Sequence, residues 1–483
     1  MPKLQANRIL LVHPLGYEAA AADTDIARKA NLMPPLGLAG IASFLEARGK
    51  KADLLDAFAF PCSADRRLTT YLRLFRPGWI GFSCTTSSFL DAVRLATRAR
   101  EILPGIRTLC GGPHVSALRE KLLAAYPVFD YLVVGEGEET LNQLLNEPAD
   151  AARIPGLVFW DAAGVARFSG FREITLELDS LPFPAYEKLP GFPHRYRLPI
   201  FNYPRTPNSS CISSRGCPYA CSYCDRSVFR RSFRYNSAAY LYRHLEYLKN
   251  RFALRHVNFY DDQFTFNRER VDELCRALRA RPLNLTFNCA ARAEHLDYKL
   301  LQNLKQAGCW MISLGIESGD EQLLSRHRQK VDLDFLAEQV RLIKKSGIRV
   351  KGLFMVGLPG ESEASIRRSI SYLRGLPIDE LNVAKFTPFP GSPLYENIHR
   401  YGDFDEDWTK MDCMSFQFIP DGMHRAQLEK LFLEFYQAHF KRPQTLFNYL
   451  ALLKDSPDSW RRFLGGLPAF LRFARHSDSR MVK

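Results

Sequence analysis

Residues 8 to 145 switch five times between a short aliphatic run and a helical pattern, which restricts this stretch to a parallel sheet covered by helices. The runs are RILLV at 8, ADLLDA at 52, WIGFSC at 79, RTLCGG at 107 and DYLVVGEGE at 130. Between them, LGLAGIASFLEARG and FLDAVRLATRAREIL repeat apolar residues at helical spacing, and a glycine closes the first. The expected fold is a doubly wound α/β domain over 1–145. Its strands end in His13-Pro14, Thr85-Thr86-Ser87-Ser88, Gly111-Gly112-Pro113-His114 and Gly135-Glu136-Gly137. Any one of these is a plain strand-to-helix turn, but open α/β sheets bind ligands at the carboxyl ends of strands, and the row points to a ligand site.

At 483 residues the chain exceeds one ordinary core, so further domains are expected. Residues 146–205 are irregular and rich in proline, as in a linker, with a short hairpin predicted at LVFWDAAGVARF. A second series follows: CISSR at 211, HVNFYDD at 256, NLTFNCA at 284, MISLGIE at 311, RVKGLFMVG at 349 and ELNVAKF at 380. Six strands with intervening helices predict an open parallel (βα)6 barrel over 206–395, with its chemistry at the strands' C-terminal ends. Residues 396–483 read as a helical C-terminal region. From Pro443 onward seven Lys/Arg and three Asp/Glu alternate with Phe447, Tyr449, Trp460, Phe463, Phe470 and Phe473. That mixture suits a helix at a membrane interface. The favoured alternative is a helical cap laying its aromatic side on the barrel.

No run of about 18 apolar residues occurs, and MPKLQANRILLVHP lacks the features of a secretory signal, so a cytoplasmic protein is expected, or one at the inner membrane surface if the tail binds lipid. The formal charge of +14 attracts anionic partners. The basic residues are spread rather than gathered in one tract, which argues against nucleic acid and leaves a small molecule or a membrane surface. Eleven scattered cysteines favour reduced thiols, and the clustered ones read as metal ligands.

In SSRGCPYACSYCDRS, Cys217, Cys221 and Cys224 can curl around one centre. Such soft ligands suit zinc or iron–sulfur. Structural zinc closes with four ligands, and no fourth Cys or His follows at finger spacing. A four-iron cluster on three cysteines leaves one iron open to bind a substrate. Cys211, on a predicted strand, reads as a core thiol.

With Tyr223 as the aromatic, the Cys-x3-Cys-x-aromatic-Cys pattern resembles the signature of the radical S-adenosylmethionine (SAM) superfamily. The resemblance implies a 4Fe-4S cluster whose open iron chelates SAM. One electron, from a donor such as flavodoxin or ferredoxin, then cleaves SAM to methionine and a 5′-deoxyadenosyl radical. Tyr223 would lie beside the adenine. Asp262, in YDDQF, would hold the SAM amino end, although the family's usual Gly-Gly-Glu is missing there. Arg292 would pair with the carboxylate. Glu317 and Ser318, in GIESGDEQLL, would bind the ribose, and Gly357, in GLFMVGLPGES, would let backbone approach the adenine.

Together with RILLVHP, MPPLGLAGIASFLEARG, GGPHVS and DYLVVGEGEET, residues 8 to 395 resemble the cobalamin-dependent (class B) radical SAM enzymes. The resemblance implies a flavodoxin-like domain holding cobalamin through Ser83, Thr85, Thr86, Ser87, Gly111, Gly112, Gly135, Glu136, Gly137 and Glu138. The Asp-x-His-x-x-Gly pattern that ligates cobalt elsewhere is absent from 1–150, and His13 and His114 read as capping or surface residues. The expected activity is methylation of an unactivated carbon of a small or lipid-like substrate. Ring formation, oxidation or rearrangement, as in anaerobic tetrapyrrole cyclases, is the first alternative, and a cobalamin or redox sensor the second. tRNA methylthiolation would need a second cysteine trio and a C-terminal small β-barrel, and neither is seen.

Overall fold

The computed structural model describes residues 3–16, 32–174, 177–328 and 331–467. Phe470 and Phe473 of the expected aromatic tail lie outside the described residues. Five parallel strands, β1 (Gln5–His13), β2 (Lys51–Asp56), β3 (Pro77–Ser83), β4 (Arg107–Gly111) and β5 (Tyr131–Val133), run in the order β2-β1-β3-β4-β5. This is the flavodoxin-like winding. Side chains alternate along β1: Leu10 and Val12 pack with Ile80, Phe82, Phe89 and Leu95 on one face, and Ile9 and Leu11 with Trp79, Leu38 and Leu141 on the other. Both faces are therefore covered by helices.

The predicted hairpin exists as β6 (Leu157–Trp160) and β7 (Ala166–Phe168), but it is not a free piece of linker. It pairs antiparallel to β5 and extends the first sheet to seven strands, because Val158 joins that domain's core.

The second sheet holds β8 (Asn208–Cys211), β11 (His256–Phe259), β12 (Thr286–Ala291), β13 (Cys309–Glu317), β14 (Arg349–Val356) and β15 (Glu380–Lys385), parallel throughout in the order β15-β14-β13-β12-β11-β8. Its first strand ends at Cys211, where the sequence predicts that it starts. Past it, the Asp261 carboxylate accepts from the Ser213 and Ser214 amides at 2.6 and 3.1 Å and draws the chain off the sheet. There β9 (Ser214–Arg215) pairs with β10 (Arg234–Tyr235), so the next helix, Ala238–Phe252, does not follow the cysteines directly. On the outer face Phe259, Phe287, Ile312, Leu314, Val350 and Phe354 pack beneath the helices.

The C-terminal region begins in a 3-10 turn, Tyr395–Arg400, passes through a hairpin of β16 (Gly402–Phe404) with β17 (Phe418–Pro420), and becomes α-helical from Arg425. Trp408, between those strands, packs its ring 4.5 Å from His114 and 5.8 Å from Phe89 of the first domain. Farther on, Phe201 of the linker meets Tyr449, Trp460 and Phe463 at 5.0, 5.4 and 5.7 Å, as a cap would. Among the described residues no helix is long and apolar enough to cross a membrane.

Candidate active site

A cavity of about 980 Å³ lies between the two sheets, at the upper end of the range of about 300–1,000 Å³ usual for ligand sites. One wall is built from the strand ends of the first domain: Ser83, Thr85, Thr86 and Ser87 after β3, Gly111 and Gly112 after β4, and Gly135 to Glu138 after β5. Cys217, Cys224, Tyr260 and Asp262 stand opposite. The loops are preset by local bonds. The Thr85 amide donates to Ser88 Oγ at 3.0 Å, and the Gly135 amide to Ser116 Oγ at 3.0 Å. Gly112 sits at φ 107°, where an added Cβ would lie 2.4 Å from the Cys84 carbonyl oxygen. Glycine backbone at Gly111, Gly112, Gly135 and Gly137, with the small hydroxyls of Ser83 to Ser87 beside it, thus forms a close cradle, which fits a large planar cofactor and its tail.

His114 is neither capping nor on the surface. It is fully buried, with Nδ1 3.2 Å from Thr86 Oγ1, and burial lowers its pKa to about 4. His13 is partly exposed and pairs with Asp56 at 2.9 Å.

Glu136 and Glu138 line the cavity and are also engaged by arginines of the second domain. Arg215 Nη1 reaches Glu136 at 2.7 Å, Arg215 Nη2 reaches Glu138 at 2.6 Å, and Arg234 also reaches Glu136 at 2.7 Å. Burial alone would raise the Glu138 carboxyl, and Arg215 more than offsets this, holding it below the usual range. These carboxylates fasten one domain to the other at the cavity wall.

The cysteine loop is pinned from several sides. The Ser222 amide donates to the His327 carbonyl at 2.8 Å, Tyr219 Oη lies 2.7 Å from His295 Nε2, and the Ser227 amide donates to Asp225 Oδ1 at 2.7 Å. Cys217, Cys221 and Cys224 are free thiols with accessible surface. Burial, then nearby Asp262, pushes Cys224 up to about 12, and burial also raises Cys217. Among the described residues no three His, Cys, Asp or Glu converge on a single-ion site. A four-iron cluster would take its three cysteines on three separate irons. The donor set fits such a cluster. Cys211 is buried at the core and apart from it.

The strand ends of the second sheet supply the other expected residues. Asp262 faces the cavity, while its neighbour Asp261 is buried against Ser213, Ser214 and Arg270. Arg292 lies over the Tyr219 ring at 3.9 Å and bonds Glu294 at 3.0 Å. Glu317 adopts φ 66° at the end of β13, opposite Phe354 of β14. Burial raises its carboxyl against the pull of Arg328 and Arg292. Tyr223 packs against the cluster that holds Leu323, Phe386 and Leu394, and burial, then the charge of Glu317, raises its phenol. Ser318 is withdrawn from ligand duty: it is fully buried, with Oγ 3.0 Å from Ser369 Oγ and accepting from the Asp320 amide. Gly357 adopts φ 95°, and an added Cβ would press the Phe416 ring at 3.2 Å.

Two site residues escaped the sequence reading. Glu361 turns back to accept from the Gly357 and Leu358 amides, clamping the loop after β14, and burial raises its pKa to about 8. Its position just past Gly-Leu-Pro-Gly was the available signal. Arg328, which donates to the Gly315 carbonyl at 3.2 Å and stands 3.9 Å from Glu294, follows no motif.

Two family profiles match the chain: the B12 binding domain over residues 24–145 and the radical SAM superfamily over residues 211–373. An uncharacterized methyltransferase of Pyrococcus horikoshii is 26% identical over 417 residues, covering 86% of this chain and 89% of its own. An anaerobic magnesium-protoporphyrin IX monomethyl ester cyclase of Rubrivivax gelatinosus is 26% identical over 483 residues, 96% of this chain and 82% of its own. In fold, the chain is similar to the radical SAM methyltransferase TsrM of Kitasatospora setae, solved with cobalamin and a [4Fe-4S] cluster. The TM-score is 0.66 at 19% identity, over 82% of this chain and 75% of that one.

Proposed function

Because this chain belongs to the cobalamin-dependent radical SAM enzymes, we propose that it methylates an unactivated carbon of a small or lipid-like molecule held between its two domains. One observation carries the reading: a single cavity has the cofactor loops of the first domain on one wall and Cys217 and Cys224 on another. When bound, the cluster supplies an electron to SAM and cobalamin carries the methyl group, so the hard chemistry belongs to the cofactors. The protein holds and aligns them. Cys217, Cys221 and Cys224 hold the cluster; Asp262, Arg292, Glu317 and the Gly357 loop hold SAM; the turns after β3, β4 and β5 hold cobalamin. Arg292 and Glu317 offer opposite charges suited to a carboxylate and a vicinal diol. The apolar share of the lining, including Leu36, Ile41, Phe58, Leu181 and Phe389, excludes water from the reacting carbon and suits a lipid-like substrate.

The test is anaerobic turnover of the reconstituted protein with SAM labelled at its methyl group. Label in the product together with 5′-deoxyadenosine is expected. Release of 5′-deoxyadenosine with an altered but unlabelled product would sink methyl transfer. It would favour the second reading, ring formation, which the cyclase's similarity over nearly the whole chain supports. A small reduced flavodoxin or ferredoxin would deliver the electron. The outward Leu446, Phe447, Leu450 and Leu453 of the helix Pro443–Asp455 support a seat at a membrane surface, read out by co-sedimentation with phosphatidylglycerol vesicles.

A further inference from the structure

Strand register divides the barrel sheet into two unlike faces. Ser210, Asn258 and Asn288 stand side by side across β8, β11 and β12, and Ala290, Ser313 and Lys351 across β12, β13 and β14. These positions alternate with the outward Phe259, Phe287, Ile312 and Val350, which form the core beneath the helices, so they face inward. Barrel interiors are ordinarily filled by bulky branched side chains. Here, among the described residues, the large apolar side chains packed at inward positions of β11 to β15 are Met311, 1% exposed beside Asn288, and Met355, and the positions above Met311 are small or polar. Ala290, Ser313, Gly315, Lys351 and Leu353 keep accessible surface in the middle of the sheet, and Asn382 is exposed. A central strand retains such surface on one face only if that side is hollow.

The base of the hollow is polar and incompletely bonded. Asn288 Oδ1 and Ser210 Oγ are buried without a partner, although each residue is only 1% exposed. Lys351 Nζ makes a single hydrogen bond among the described residues, to Asn202 Oδ1 at 3.0 Å. Glu380, beside it in register, is already answered by Arg349 at 3.2 Å and by the Tyr449 hydroxyl at 2.8 Å. The Lys351 ammonium therefore keeps hydrogen-bonding capacity that no other group among the described residues takes up. Buried polar groups left in this way call for water or a ligand.

We propose that the inner face is a channel running from the SAM site down to Lys351, where the ammonium group binds the terminal oxyanion, carboxylate or phosphate, of an extended substrate. This rests on the reading above that the reacting carbon lies at the strand tops. The length follows from the strands: Lys351 lies six residues below Gly357, a reach of about 20 Å. The small inward side chains Ala290, Ser313 and Gly315 leave room for an uncharged stem along that path.

The test is equilibrium binding of decanoate, decyl phosphate and decanol to the cluster- and cobalamin-reconstituted protein, by calorimetry and without turnover. An oxyanion probe is expected to bind at least about tenfold tighter than decanol, with Lys351→Met abolishing that preference. Decanoate and decyl phosphate, compared with each other, identify the oxyanion. Ser313→Leu, which fills the channel and leaves the lysine in place, is expected to weaken all three. Equal oxyanion binding by wild type and Lys351→Met, unchanged binding by Ser313→Leu, or no binding of any probe to wild type would each overturn the channel. Loss of labelled methyl transfer with Lys351-dependent binding intact would overturn only the reaction assigned above.

Discussion

Arg215 Nη2 stands 2.6 Å from Glu138 Oε1, an ion pair that joins the barrel to the flavodoxin-like domain at the cavity wall. Both side chains are largely buried, and Arg215 serves Glu136 as well. Removing one partner of such a pair leaves an uncompensated charge out of water. Arg215→Met is expected to cost about 3–5 kcal/mol. Glu138→Gln in the same chain should recover part of the loss, measured as a double-mutant cycle by denaturant unfolding.

Serine at Cys217, Cys221 or Cys224 should each lower bound iron and sulfide, remove the cluster's visible absorbance and reduce SAM cleavage to background. Cys211→Ser is the control. Its thiol is buried in the core, so iron content should stay at the wild-type value while stability falls. Full iron loading of any trio variant would remove that cysteine from the ligand set.

Gly112→Ala meets two obstacles at once: a left-handed backbone at φ 107°, and the Cys84 carbonyl oxygen 2.4 Å from the new methyl group. A destabilisation of about 1–3 kcal/mol is expected from the strain. Cobalamin retention, read from its visible spectrum after desalting, should fall with it, because the same turn lines the cavity.

His114 is held neutral in the folded protein by burial, at about 4 against an ordinary value of 6.5. The unfolded chain takes up the proton first as pH drops, so this residue's contribution is present above about pH 6.5 and is lost as pH falls toward 4. The loss amounts to at most about 3 kcal/mol. His114→Gln should flatten that part of the stability–pH curve; identical slopes for variant and wild type between pH 6.5 and 4 would refute it.

Both sheets were legible in the sequence because short strand-like runs, aliphatic throughout the first sheet and mixed in the second, alternate with helical patterns. The row of turns at 83–88, 111–114 and 135–138 marked one wall of the cavity for the same reason. What escaped depends on contacts between distant segments. Nothing local says that Glu136 and Glu138 face Arg215, that Ser318 turns toward Ser369, or that Val158 completes a neighbouring core. The first barrel strand was misplaced because Asp261, far along the chain, pulls Ser213 out of line. The inner face of the barrel was invisible for a different reason. Alternation separates the two sides of a strand, but only the assembled sheet tells which side is left unfilled.

Trp408 inserts its ring beside Phe89 and His114, so the first domain is finished by a segment encoded long after it. A nascent chain on the ribosome cannot close that surface until residue 408 has emerged. An exchange of the amino-terminal domain between relatives must carry the matching stretch around 404–411 with it, or the graft will present an open aromatic socket.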